Sequence, residues 1–143
     1  MIKVFTDGAC KGNPGQGGWG ALIIENDTER EIYGGESNTT NNRMELMAVI
    51  KALELLKEQK NITVFTDSTY VQKGISEWII NWKRNGWKSS NKKSVKNKDL
   101  WVELDNLNDQ MSVKWQWIKG HAGHSGNERA DYLANLGVNS SSG

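Results

Sequence analysis

The first forty residues alternate short apolar runs with turn-forming residues, a pattern typical of strands. Residues 2–7, 19–25 and 31–36 are such runs, and residues 12–18 (GNPGQGG) separate the first two. Glycine, asparagine and proline in that spacer favour a tight connection. The pattern therefore predicts three strands at the start of the chain, the first two joined as a hairpin.

From residue 42 to residue 57 the hydrophobic period changes to that of an amphipathic helix. Charged residues occupy the opposite face, and the apolar positions at helical spacing are Leu46, Val49, Ile50, Leu53 and Leu56. Residues 62–66 return to a β-branched and aromatic run. We therefore expect a helix packed on the sheet, followed by a fourth strand.

The rest of the chain predicts helices at residues 70–82 and 100–107, then a fifth strand. In that strand Val113, Trp115 and Trp117 alternate with polar residues, and we interpret both tryptophans as core. Residues 125–128 (SGNE) fit a capping box before a final helix. The elements together predict an α/β fold, with a five-stranded mixed sheet flanked by helices on both faces.

Length and composition indicate one globular unit. The 143 residues, 36% hydrophobic and 24% charged, suit a single domain over residues 1–138 with a flexible polar tail at 139–143. No apolar run is long enough to cross a membrane. The start of the chain lacks a secretory pattern, and the single Cys10 excludes an internal disulfide, so we expect a cytoplasmic protein.

The net charge of +1 conceals a strongly basic block. Residues 73–98 carry eight cations and one anion, which leaves the rest of the chain acidic. Such a block is typical of a surface that binds a polyanion, because neutralised phosphates release counterions. Lysines that merely keep a loop soluble are the alternative.

A repeated tetrapeptide places two aspartates at comparable positions. Residues 4–7 and 64–67 both read VFTD, so Asp7 and Asp67 each follow a strand. If these strands are parallel neighbours, about 4.8 Å apart, the carboxylates stand side by side at the edge where open α/β sheets place their sites. Alternatively, each aspartate only forms a turn.

Two further acids lie near helix starts. Glu45 borders the buried face of the first helix, and Asp131 lies in the second turn of the last one. Either could simply complement a helix dipole. Four converging carboxylates would form an anionic pocket suited to hard divalent metals such as Mg²⁺ or Mn²⁺. Two such ions can polarise a phosphodiester and activate water, which suggests hydrolysis.

These residues resemble bacterial type 1 ribonuclease H over about residues 1–138. The runs that carry the resemblance are 6–8 (TDG), 40–46 (TNNRMEL), 66–68 (TDS), 120–124 (GHAGH) and 127–131 (NERAD). The resemblance implies a ribonuclease H-like fold and a metal-dependent endonuclease. Such an enzyme cuts the RNA strand of RNA/DNA hybrids and leaves 5′-phosphate and 3′-hydroxyl ends.

Catalytic roles follow from this resemblance position by position. The four acids resemble the ligands of two Mg²⁺ ions, with Mn²⁺ as an alternative and Asp7 as the bridging ligand. His121 resembles the residue that acts as general base or proton shuttle, a role that imidazole suits near neutral pH. A surface loop histidine is the alternative.

The resemblance also implies the nucleic-acid contacts. Small and amide residues, which permit close approach and read a 2′-OH, would meet the RNA strand: Gly8, Cys10, Asn13, Asn41 and Asn42. Thr40 and Arg43 would contact DNA phosphate, although Thr40 or Asn41 could also cap the helix. Residues 78–98 resemble a basic handle that grips DNA, with contacts from Trp78, Trp82, Lys83, Arg84, Trp87 and Lys88. Trp78 could instead be core packing alone.

Thr69 and Lys73 depart from the pattern, since some bacterial members of the family carry glutamine at these positions. We expect a monomer that binds RNA/DNA hybrid and no membrane; docking to replication proteins is left open. A junction resolvase or integrase core acting on DNA alone is the first rival interpretation. A hybrid-binding module without catalysis is the second, although it would not need four acids.

Overall fold

The computed structural model describes residues 1–88, 93–119 and 124–140. Its centre is a five-stranded mixed sheet with the order β3-β2-β1-β4-β5. The strands are β1 Ile2–Gly12, β2 Gly15–Glu25, β3 Thr28–Thr39, β4 Ile62–Thr66 and β5 Val113–Trp117. The first three strands are antiparallel neighbours, whereas β4 pairs in parallel with both β1 and β5. The predicted class and strand count are confirmed.

Five α-helices accompany the sheet in the described residues. They are α1 Asn41–Leu55, α2 Thr69–Lys73, α3 Ile79–Arg84, α4 Lys98–Gln110 and α5 Ser125–Ser140, with a π-helical turn at Gly74–Trp78 joining α2 to α3. No helix in these ranges is long and apolar enough to span a membrane.

Helices cover both faces of the sheet, as the alternation along β1 shows. Val4 is fully buried in the core cluster with Leu46 and Val49 of α1. Phe5 points to the opposite face, where its ring lies directly against Gly126 of α5. The sheet is therefore a middle layer, and its carboxyl edge receives the first turns of both helices.

The tryptophans of β5 correct one prediction. Trp115 packs partly buried against the core, and its indole N–H donates to Asn108 Oδ1 at 3.1 Å. Trp117, predicted as core, is 45% exposed. The reason is its place at the last position of an edge strand, beyond the helices that cover the sheet.

The C-terminal helix also differs from its predicted ends. It begins at Ser125, and the amide of Glu128 donates to the carbonyl of His124. Ser125 is thus the first helical residue, one position inside the N-cap that a capping box would require. The helix also continues through Ser140, so Asn139 and Ser140 are helical and do not belong to a loose tail.

The π-helical turn interrupts the single helix predicted over residues 70–82. Gly74 opens this turn and lies directly under the ring of Trp101 in α4, where an added Cβ would be 1.9 Å from the indole. The glycine therefore lets the helix approach the largest fully buried side chain of the core.

We expect Gly74→Ala to lower the free energy of unfolding by about 1–3 kcal/mol, because Trp101 cannot shift without disturbing its packed neighbours. Urea unfolding followed by circular dichroism measures this change. Gly86→Ala is the control. A Cβ added at Gly86 would meet no atom within 4 Å, although the positive φ of this residue adds a backbone cost. A Gly74→Ala variant as stable as the parent would contradict the tight approach.

Candidate active site

The two repeated aspartates lie at matching positions of two adjacent parallel strands. Asp67 directly follows β4, as predicted, whereas Asp7 lies within β1, which continues to Gly12. Val4 pairs with Val64 and Phe5 with Phe65, and the two phenylalanine rings stack 4.7 Å apart. Asp7 and Asp67 therefore reach the carboxyl edge at the same level of the sheet. The pairing register of β1 and β4 is therefore enough to bring the carboxylates of Asp7 and Asp67 close together.

Glu45 reaches the same place from α1 because Gly8 leaves room for the helix. The helix begins after Thr40, whose hydroxyl accepts the amide N–H of Arg43 at 3.2 Å, which confirms the capping role considered above. A Cβ at Gly8 would lie 2.5 Å from the backbone nitrogen of Glu45. The Gly8 amide donates to Asp7 Oδ1 at 2.9 Å and to Glu45 Oε1 at 3.2 Å, which links strand and helix.

Three carboxylates thus form a compact cluster. Asp7, Glu45 and Asp67 each offer an oxygen within 4.8 Å of the others. Asp7 is 7% exposed and Glu45 is 5% exposed, and Glu45 Oε2 has no hydrogen-bond partner among the described residues. A buried carboxylate oxygen without a donor is costly unless a cation meets it.

The proton affinities of the cluster reflect this crowding. Burial, together with the charge of Asp67, raises the pKa of Asp7 from 3.8 to about 7. Burial and the charge of Asp7 raise the pKa of Glu45 well above its ordinary value. Without a positive ion, the cluster therefore holds protons that free carboxyl groups would release.

The fourth acid lies on another wall of the same cavity. This cavity has a volume of about 440 Å³ and is lined by Asp7, Glu45, Asp67 and Asp131, among others. Asp131 is exposed and stands outside the cluster of three, although its carboxyl group is near enough to Asp7 to raise the pKa of Asp7 further. The predicted convergence of four acids is therefore a cluster of three, with the fourth facing it. His121 lies outside the described residues.

The donor set fits a hard divalent cation. All the clustered groups are carboxylates, the ligand type that Mg²⁺ and Mn²⁺ prefer. The ion pairs formed by Arg43, Lys83 and Arg129 engage other acids and leave these carboxylates alone. Glu45 Oε2 has no hydrogen-bond donor among the described residues, and the pKa values of Asp7 and Glu45 are raised. A bound cation would therefore stabilise the cluster.

Three of the residues predicted to meet RNA line the cavity: Gly8, Asn41 and Asn42. Asn13 Oδ1 accepts the amide N–H of Asn41 at 3.1 Å, so the β1–β2 turn is attached to the start of α1. The thiol of Cys10 lies 3.4 Å from the carbonyl oxygen of Thr39. Asn13 is thus linked to the cavity wall through Asn41.

Arg43, predicted to contact DNA phosphate, makes an ion pair with Asp99 in this structure. Its Nη1 donates to Asp99 Oδ1 at 2.9 Å and its Nη2 to Asp99 Oδ2 at 2.8 Å. Nη1 also lies 3.3 Å from Asn97 Oδ1, and Asn97 Nδ2 donates to the hydroxyl of Tyr70. The guanidinium is thus held by two side chains at the start of α4.

Sequence reasoning gave no role to the cavity residues Ser68, Tyr70, Asn127 and Glu128, and noted Thr69 only as a departure from the family pattern. All five lie within four residues of Asp67 or Asp131 along the chain, so proximity to a candidate ligand was the available signal. The contacts of Tyr70 had no signal in the sequence. Its hydroxyl accepts from Asn97 and from the Trp101 indole at 2.9 Å, which joins the cavity wall to α4.

Comparison with known proteins finds one family across nearly the whole chain. The RNase H family model matches residues 1–139. The Ribonuclease H of Francisella tularensis subsp. novicida (strain U112) is 61% identical over 137 residues, which cover 96% of this chain and 90% of that protein.

Solved structures agree with the sequence match. A type 1 RNase H with the type 2 active-site motif superimposes with a TM-score of 0.85 at 32% identity, covering 99% of this chain and 73% of that one. An RNase H1 in complex with RNA/DNA hybrid superimposes with a TM-score of 0.71 at 25% identity, covering 98% of each chain.

Proposed function

This chain belongs to the bacterial type 1 ribonuclease H family, and from that premise we propose that it hydrolyses the RNA strand of RNA/DNA hybrids with two divalent ions. We propose Mg²⁺ as the ion, with Mn²⁺ as an alternative, and products that carry 5′-phosphate and 3′-hydroxyl ends. The observation that carries this proposal is the buried cluster of Asp7, Glu45 and Asp67 on the sheet edge.

Asp7 is the central ligand in this proposal, because its carboxyl group interacts with Glu45, Asp67 and Asp131 alike. Glu45 and Asp67 would bind metal beside Asp7 in the cluster, and Asp131 would bind it from another wall of the cavity. When bound, the two ions would polarise the phosphodiester, activate the attacking water and stabilise the leaving oxygen. The Gly8 amide holds the Asp7 and Glu45 carboxylates in place, so little reorganisation precedes the reaction.

Recognition of the RNA strand is assigned to the surface beside the acids. Asn41 and Asn42 present amides at the start of α1, and an amide can both donate to and accept from a 2′-OH. Gly8 lets the sugar-phosphate chain approach the carboxylates. The relative solved with RNA/DNA hybrid supports this choice of substrate.

The sequence resemblance gives His121 the role of a proton shuttle, and the proposal includes that role. We expect His121→Ala to lower kcat by roughly ten- to a hundredfold, because proton transfer would then depend on water. Binding of the metal should be unchanged, since the carboxylates remain. Steady-state cleavage and calorimetric Mg²⁺ titration measure the two effects, with exposed His124→Ala as the matched control. Unaltered turnover would show that the histidine is dispensable.

One assay tests the proposed activity. The protein is incubated with RNA/DNA hybrid, duplex RNA, duplex DNA and single strands, each with Mg²⁺ or with chelator. We expect cleavage of the RNA strand of the hybrid alone, and only with the metal. Cleavage of duplex DNA would support the rival DNA nuclease, and hybrid binding without any cleavage would support the binding module.

A further inference from the structure

Lys83, predicted from the sequence to grip DNA, lies between two carboxylates of α4. Its Nζ is 3.3 Å from Asp105 Oδ2 and 3.4 Å from Asp109 Oδ2. Lys83 lies near the C-terminal end of α3, within the basic handle, whereas Asp105 and Asp109 lie in the last two turns of α4. The contacts therefore join two elements that are distant along the chain.

The burial of Asp105 makes this pair hard to break. The Asp105 side chain is only 11% exposed, on the same face of α4 as the buried Leu104 and Trp101. If Lys83 turned toward a phosphate, this carboxylate would be left largely withdrawn from water without its cation, which is unfavourable. A phosphate would thus compete against two acids for one ammonium group.

Aromatic packing anchors the same helix from another side. The ring of Trp82 lies 5.4 Å from that of Trp101 in α4, 5.9 Å from Trp78 and 6.2 Å from Trp87. Trp82 and Trp87 are both packed against the core. The base of the handle is therefore packed against α4 by rings near the ion pair, and these two tryptophans are partly buried.

Two other cations of the handle differ from Lys83. Arg84 and Lys88 are both exposed. Neither forms an ion pair with another residue in the described part of the chain, whereas Lys83 has two acidic neighbours. The handle thus presents accessible positive charge at these two positions.

We propose that Lys83 is a positioning residue, which anchors the basic handle to α4 through Asp105 and Asp109, and that Arg84 and Lys88 supply the phosphate contacts. This inference rests on the proposed function, because it concerns how the hybrid is held. Lys83 acts through the orientation of the handle and does not touch the nucleic acid.

Asp105→Asn gives the sharpest test, since it removes a negative charge near a polyanion and keeps the side-chain shape. Simple electrostatics predicts tighter hybrid binding. Anchoring predicts weaker binding, roughly three- to tenfold, because fewer molecules hold the handle in the competent orientation. KM should rise by a similar factor with kcat unchanged. Glu103→Gln, an exposed acid on the same helix, is the matched control and should not weaken binding.

Salt dependence separates anchoring from phosphate contact. Fluorescence anisotropy with labelled hybrid in chelator gives the slope of log K against log salt. Arg84→Met and Lys88→Met should each lower the magnitude of this slope by roughly 0.7–0.9, the value for one lost phosphate contact. Lys83→Met should weaken binding and leave the slope unchanged, whereas Lys83→Arg, which keeps the ion pair, should restore the parental affinity.

Several outcomes would overturn the proposal. Tighter binding with a steeper slope in Asp105→Asn would mean that the acids restrain a lysine that contacts phosphate. A smaller slope in Lys83→Met would assign the contact to Lys83 directly, and unchanged affinity in both variants would remove the anchoring role. If Asp105→Asn fails to fold by circular dichroism, the slope of Lys83→Met decides alone. A parent protein that binds the hybrid without cutting it contradicts the proposed function and not the anchor.

Discussion

Asp7→Asn should lower the rate of hybrid cleavage by at least about a thousandfold while hybrid binding persists. The Asp7 carboxyl group interacts with Glu45 and Asp67 of the cluster and with Asp131. The amide has the same shape but carries no charge, so the cavity would lose the ligand shared by its two sides. Loss of a negative charge near the substrate should leave the affinity for hybrid equal or slightly higher.

Single-turnover cleavage with saturating Mg²⁺ measures the chemical step, and anisotropy in chelator measures binding. Asp27→Asn is the matched control, because it removes the same charge from an exposed turn between β2 and β3. Cleavage at the parental rate in Asp7→Asn would remove Asp7 from the set of metal ligands. Equal loss in both variants would point to a general charge effect.

The metal-free protein should lose stability as the pH rises from about 4 to about 7. The folded chain retains a proton on Asp7 up to a pKa of about 7, whereas the unfolded chain releases it near 3.8. Across this interval the unfolded state binds fewer protons, so the free energy of unfolding falls with rising pH, by on the order of 3–4 kcal/mol for this group. Asp7→Asn removes the contribution of Asp7, whereas the raised pKa of Glu45, which is due mainly to burial, keeps a dependence of the same sign.

Urea unfolding of both proteins in chelator at about pH 4 and about pH 7 measures the difference. We expect the variant to be the more stable protein at neutral pH, by an amount that shrinks toward pH 4. The exposed pairs of Glu31 and Asp99, whose pKa values are lowered by Arg129 and Arg43, weaken only at the acidic end and are shared by both proteins. Equal stability of the two proteins at every pH would mean that burial and the charge of Asp67 do not raise the pKa of Asp7 in the folded chain.

The acidic edge was the most predictable part of the site. Two identical tetrapeptides ending in Asp7 and Asp67 predicted neighbouring carboxylates on the condition that the two strands pair in parallel, and β1 and β4 do so. The depth of Glu45 was not predictable from helical periodicity, which placed it at a border. It is buried because Gly8, far away in sequence, lets α1 approach β1.

The roles of the cations were the least predictable part. Charge counting treats Arg43, Lys83 and Arg84 alike, since each contributes one positive charge. Which of them is already neutralised depends on where α4 packs, and α4 is positioned by rings and core contacts that no local pattern encodes. The sequence predicted that this surface is positively charged, but it did not predict which partner each charged side chain has.

The pairing of β4 with β1 makes the acidic cluster depend on contacts between distant parts of the chain. Val4 pairs with Val64, sixty positions further along, whereas the first three strands pair with near neighbours in the sequence. The three-stranded meander by itself contains Asp7 but not Asp67, and Glu45 belongs to α1. The cluster is therefore complete only when β4 and α1 are both in place.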